Sequence, residues 1–250
     1  MIDWLWSIGF YTSVIFALVG AFGVIRPLRR VHRGRRLHAA VMLLIGLAAA
    51  YAISRSMPRA QSSAERHGID EFTPTFHFRE HHETTIAAPP ARVFEAIRAV
   101  TAGEIALFRT FTWIRRFGQP GPDSIMNAPE RQPILDVATK GGFLLLHEAV
   151  PNEIVVGTVV VAPPGTRRPG TFGAQEFKHL SAPGFAIAAM NFRIEATGGA
   201  SRVITETRVF ATDQAALRRF TPYWRVIFPG SSILRTTWLR AIKKRAELGA

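Results

Sequence analysis

The chain has 250 residues, 48% of them hydrophobic, with 31 Lys and Arg against 18 Asp and Glu and a formal net charge of +13. It is too apolar for a disordered chain and long enough for one large or two small domains. With no cysteine, a disulfide scaffold, thiol catalysis and thiolate zinc sites are excluded.

The charge sits at the ends. Residues 1–70 hold nine arginines against Asp3, Glu65 and Asp70, and residues 212–250 hold eight basic side chains against Asp213 and Glu247, a surplus of six in each, whereas residues 71–211 carry only +1. A nearly neutral middle gives no support to a nucleic-acid partner.

Residues 4–25 are 22 positions without a formal charge, enough for a helix to cross ~30 Å of hydrocarbon. Trp4 and Trp6 at its start suit an interfacial belt. Residues 37–53 form a second uncharged run of 17, read as the partner span of a transmembrane hairpin, with a buried helix of a soluble core as the alternative. Small residues recur at Gly9, Ser13, Ala17 and Ala21, and again at Gly46 and Ala50. That spacing lets two helices approach closely in lipid, although Gly and Ala are common in membrane helices anyway. Between the runs, residues 26–36 hold six arginines and no acid. Basic residues in short loops stay cytoplasmic, which predicts a multi-pass protein of the cytoplasmic (inner) membrane with its N-terminus and everything after residue 53 on the outer, periplasmic side. Residues 54–75, rich in Ser, Arg, Gln and Pro, read as a juxtamembrane linker. The predicted organisation is a hairpin over 1–53, the linker over 54–75, and a folded domain over 76–250.

In that domain, residues 76–87 alternate as a strand and stop at Ala88-Pro89-Pro90. Helical periods follow over 91–100 and 102–117, the second with an unusually broad apolar face formed by Ile105, Leu107, Phe108, Phe111, Trp113 and Ile114. A Pro/Gly-rich connector spans 118–133, and 134–140 reads as a turn or two of helix. The period then changes to two, giving a hairpin over 143–149 and 154–162. A second hairpin spans 185–196 and 201–212, about Thr197-Gly198-Gly199-Ala200. Asp213 then opens a long basic helical segment interrupted at Pro222 and at Pro229-Gly230.

This order, with the opening Thr85-Ile86-Ala87-Ala88-Pro89-Pro90-Ala91-Arg92-Val93-Phe94, resembles the START-like superfamily of lipid-transfer proteins, polyketide cyclases and birch-pollen-allergen relatives. Within it the chain most resembles a bacterial branch sharing Ala189-Met190-Asn191-Phe192-Arg193, Thr205-Glu206-Thr207-Arg208 and Tyr223-Trp224-Arg225-Val226-Ile227. The resemblance implies an α+β helix-grip fold, a curved antiparallel sheet around a long C-terminal helix, here preceded by two transmembrane helices. It also implies an apolar cavity between sheet and helix.

One register of the second hairpin presents Met190, Phe192 and Ile194 opposite Val203, Thr205 and Val209, which with Trp224 are the cavity-lining candidates. Asn191, Arg193, Glu206 and Arg208 then occupy the other face, and a one-residue slip would exchange the faces. Asn191, Glu206 and Arg208 are the candidate polar anchors. Glu206 and Arg208 read either as an exposed cross-strand charge pattern or as a buried anchor, and exposure is favoured because buried ion pairs need several satisfied partners. His77, His81 and Glu83 share one strand face and Glu80 and His82 the other, without metal-ligand spacing. No nucleophile elbow, phosphate-binding loop or dinucleotide fingerprint occurs, so no catalytic residue, metal or cofactor is assigned.

Three functions follow as expectations. The first is a membrane-anchored, non-enzymatic protein that binds an apolar or lipid-like small molecule, with membrane lipids as its surroundings. The alternatives are an accessory subunit of an integral-membrane protein complex and a cyclase- or aromatase-type enzyme.

Overall fold

The computed structural model describes residues 2–25, 33–64, 67–166 and 172–248. The chain divides into two compact units, Met1–Met57 with Arg218–Pro229, and Pro58–Leu217 with Gly230–Ala250.

The first unit is built on α1 (Ile2–Ile25) and α2 (Arg33–Arg55). Both are long and apolar enough to cross a membrane, over Asp3–Ile25 and Arg36–Arg55. Neither is a core helix, because Leu5, Leu18, Phe22, Leu44 and Leu47 are exposed. The small residues serve the hairpin's own seam. A Cβ on Gly20 would lie 2.4 Å from the Leu43 backbone nitrogen, and one on Gly46 would lie 2.6 Å from that of Ala17. Ala17 is buried there, Gly9 faces Ile53, and the Ser13 hydroxyl donates to the Gly9 carbonyl in its own helix. Ala21 and Ala50 are half-buried. Most of the arginine-rich loop on which the orientation rests lies outside the described residues.

The third component of this unit comes from α7 (Gln214–Leu248), which runs through Pro222 and Pro229 without ending. Proline lacks the N–H that would serve the carbonyl four residues back, which for Pro229 is that of Arg225. The Ser7 hydroxyl donates to this carbonyl at 3.1 Å, and the Tyr11 hydroxyl donates to that of Val226 at 2.8 Å. Arg225, 1% exposed, donates to Asp3 at 3.1 Å and lies over the Trp6 ring.

The second unit is α+β. Five antiparallel strands lie in the order β3-β7-β6-β5-β4, where β3 is Phe78–Ile86, β4 Leu144–Ala149, β5 Glu153–Val161, β6 Ala186–Thr197 and β7 Ala200–Ala211. Gly198 and Gly199 both have positive φ, +55° and +91°, as a two-residue turn matching the strand twist requires. Ile194 pairs with Val203 and Phe192 with Thr205, while Met190 faces Thr207, and Val209 faces Ala188. The inner face of the sheet packs on α3 (Pro90–Ala99), α5 (Ile134–Lys140) and the last turns of α7. Met190, Phe192, Ile194, Val203, Trp238, Leu239 and Ile242 share that core. Asp213 caps α7, accepting from the Ala216 N–H at 2.7 Å.

The segment read as a linker folds back onto the outer face of the sheet. β1 (Gln61–Ser62) pairs with β2 (Thr75–Phe76), and a tight turn at Gly68–Glu71 joins a second small core of Ile69, Phe72, Leu146, Val155, Phe177, Ile187 and Ala189. Phe177 comes from α6 (Ala174–Lys178) in the loop before β6. The predicted helix over 102–117 is broken. Leu107 adopts φ +63°, and only α4 (Phe108–Arg115) continues.

Candidate functional site

The pleat of β3 and β7 divides the polar residues into two groups, one on each face of the sheet. On the outer face, Glu206 and Arg208 are buried, 6% and 2% exposed, which corrects the expectation of exposure. The partners they need come from the folded-back segment. Arg208 donates through Nε to Glu206 at 2.6 Å, through Nη1 to Asp70 at 2.5 Å and to the Thr73 carbonyl at 3.1 Å, and through Nη2 to Ser63 at 3.3 Å. Its plane lies over Phe76. Arg79 adds a second donor to Glu206 at 2.7 Å. Asn191 accepts the Glu206 N–H and donates to Glu153, which in turn accepts the Gly68 N–H. Burial acts to raise the Glu206 and Asp70 carboxyls, but the hydrogen bonds from Arg208 outweigh it, so both lie below their ordinary values. This network clasps Ser63, Gly68, Asp70, Thr73 and Phe76 to the sheet, and its polar atoms are directed to the protein's own groups. Asn191, Glu206 and Arg208 therefore stand on the face opposite Met190, Phe192, Ile194, Val203, Thr205 and Val209. Trp224 belongs to the first unit, where its indole N–H donates to Asp3.

The inner face carries the other group. Glu80, 3% exposed, accepts from Ser231 at 2.8 Å and pairs with His82 Nε2 at 3.0 Å. Ser232 lies 3.3 Å from the same His82 nitrogen. Thr207 stands directly across the ladder from Glu80, and one helical turn beyond Ser231 comes Arg235. The Arg235 guanidinium lies 5.2 Å from the ring centre of Trp238, which meets Phe192 edge-on at 5.1 Å. Burial pushes the Arg235 guanidinium down to about 10, against the opposing pull of Glu80.

Three buried atoms in this group have no hydrogen-bond partner among the described residues: Thr207 Oγ1, Arg235 Nη1 and Trp238 Nε1. A buried donor left unpaired costs about 1–3 kcal/mol, so folded proteins rarely leave one without a water, ion or ligand. Two of the three are donors only, and the third is a hydroxyl that can donate. Each of the three can be satisfied by an acceptor, whether water or ligand. The site is not built as a proton relay: Glu80 and Ser232 both meet His82 at Nε2, whereas a serine–histidine–acid triad uses the two ring nitrogens separately.

Glu80 and His82 were placed on one face by the strand period. The remaining members, Thr207, Ser231, Ser232 and Arg235, were not anticipated. The other histidines of β3 and its approach do not join the group. His77 stacks on Phe210 and accepts the Ala211 N–H, and His81 lies 3.6 Å from Glu83 on the outer face.

No family model matches the chain, and no curated protein does. Among solved structures, TTHA0849 from Thermus thermophilus aligns over 69% of this chain and 99% of its own, at 10% identity and a TM-score of 0.28. Ara h 8.0201 aligns over 66% and 97%, at 10% identity and a TM-score of 0.23. Similarity this slight carries no functional weight, and the fold stated above rests on the strand ladder and the helix it holds.

Proposed function

We propose that the protein is a membrane-anchored, non-enzymatic member of the START-like group that binds a lipid-like molecule through that molecule's polar acceptor. The reading is supported chiefly by one observation, the three unpartnered buried atoms of Thr207, Arg235 and Trp238 between sheet and helix. A carboxylate, phosphate or carbonyl oxygen is the kind of group that these donors would take. The core around Phe192 and Trp238 is filled by the protein's own side chains, so the polar group is the part recognised.

The two apolar helices of the first unit serve as the anchor. The arginine-rich stretch 26–36 supports a cytoplasmic loop, and hence a multi-pass protein of the inner membrane with its binding domain on the periplasmic side. The accessory-subunit reading draws less support, because the small residues that would contact a partner are used within the hairpin. The cyclase reading loses Asn191, Glu206 and Arg208 as converging groups, since they lie on the outer face.

The test is co-purification. Protein extracted in mild detergent and analysed by mass spectrometry is expected to carry a small acidic or carbonyl-bearing amphiphile. Arg235→Met, which keeps the bulk of the stem, is expected to lose it while remaining folded by circular dichroism. Wild-type protein free of any bound molecule would overturn the reading, as would equal retention by the variant.

A further inference from the structure

The outward face of α4 and the loop after it do not take part in the binding site. Trp113 and Ile114 of α4, Leu107 just before it and Phe117 just after it are exposed, Phe117 at 90%. Four large apolar side chains exposed on and beside one short helix exceed the scattered singletons of an ordinary surface. The opposite side of the helix is committed to the fold, with Phe108 and Thr112 buried. Phe117 also holds a left-handed φ of +52°, costly for an aromatic residue, followed by Gly118 at +72° beneath the Trp113 indole. The chain turns there in a way that leaves Phe117 outside.

Arginines flank these residues. Arg109 pairs with Glu130, and Arg116 caps the Gln119 carbonyl through Nη1 while its Nε is buried without an acceptor among the described residues. Arg109, Thr112, Trp113, Arg116 and Asn127 line one open cleft. Exposed apolar side chains beside an arginine-lined cleft suit an anionic phospholipid layer, with the phosphate at the arginines and the rings at the acyl boundary.

We infer that the α4 face, from Leu107 to Phe117, docks on anionic membrane, with Arg109 and Arg116 receiving the lipid phosphate and Trp113 and Phe117 entering the interface. The inference takes membrane anchoring from the proposed function but is independent of the ligand site. Because the chain has no cysteine, one label can be placed at will. A Cβ at Gly121 meets nothing within 4 Å, so Gly121→Cys tolerates a polarity-sensitive fluorophore.

The full chain carrying that label is reconstituted in vesicles of phosphatidylcholine alone or mixed with phosphatidylglycerol. The expected result is a blue shift and protection from iodide in the mixed vesicles only. Phe117→Ser should abolish the protection, and Arg116→Gln should remove its dependence on phosphatidylglycerol. A chain that floats with both vesicles while its label stays open to iodide overturns the docking surface, and so does equal protection in both. A chain that floats only with anionic vesicles, label protected, upholds the surface and overturns the anchor. A chain that floats with neither overturns both.

Discussion

Arg208 directs its donors to Glu206, Asp70, Thr73 and Ser63, whereas Arg235 keeps a buried Nη1 with no acceptor among the described residues. The first arrangement is structural. Replacing Arg208 with Met leaves two carboxylates buried without their main partner and should cost about 3–5 kcal/mol near neutral pH, read by chemical unfolding in detergent. The pH dependence has a defined sign. Glu206 and Asp70 titrate below their ordinary values in the folded state, so on acidification the unfolded chain takes up protons first. Their contribution is complete above the ordinary carboxylate range and is lost as pH falls through the lowered values. The Met variant should instead become relatively more stable as pH drops towards the ordinary carboxylate range, where its carboxyls can be neutral. A variant with the wild-type slope would contradict the role given to Arg208.

Among the elements, the second hairpin was legible from its period of two, but its register was not: a one-residue slip exchanges the faces at no cost to the pattern, and it is the positive-φ Gly198-Gly199 turn that fixes the pairing. The folded-back segment was not legible. Its strands are two residues each, too short for a period, and their stability comes from Arg208 on a distant strand. The inner polar group was only half legible for the same reason: β3 shows Glu80 beside His82, but Ser231 and Ser232 arrive from positions 151 and 150 residues later. Helix α7 was expected to be interrupted at its prolines. It runs on through both, and at Pro229 the Ser7 hydroxyl of α1 supplies the donor that the Arg225 carbonyl lacks. Ser7→Ala should therefore destabilise the first unit by about 0.5–1.5 kcal/mol. Placed on a Pro229→Ala background, which restores the backbone donor, the same change should be nearly silent. Thermal melts of the two pairs in detergent measure that difference, and equal costs in both backgrounds would refute the carbonyl-rescue explanation. Gly46→Leu would press a side chain onto the Ala17 backbone and should lower the same transition by about 1–3 kcal/mol.

For the whole molecule, the net charge of +13 resolves into local roles. Arg225 of the second basic end is buried against Asp3, Lys243 donates to the Thr85 carbonyl, and Arg245 pairs with Glu104. Arg235 is the basic residue of that end assigned to the ligand. On the proposed function, the group that accepts from Arg235 and Trp238 is the ligand. An experimental density map of the full chain in lipid nanodiscs tests this most directly. Non-protein density is expected within hydrogen-bonding distance of Arg235 Nη1 and Trp238 Nε1. Arg235 turned out to solvent, or its Nη1 paired directly with Glu80, with no such density, would contradict the assignment.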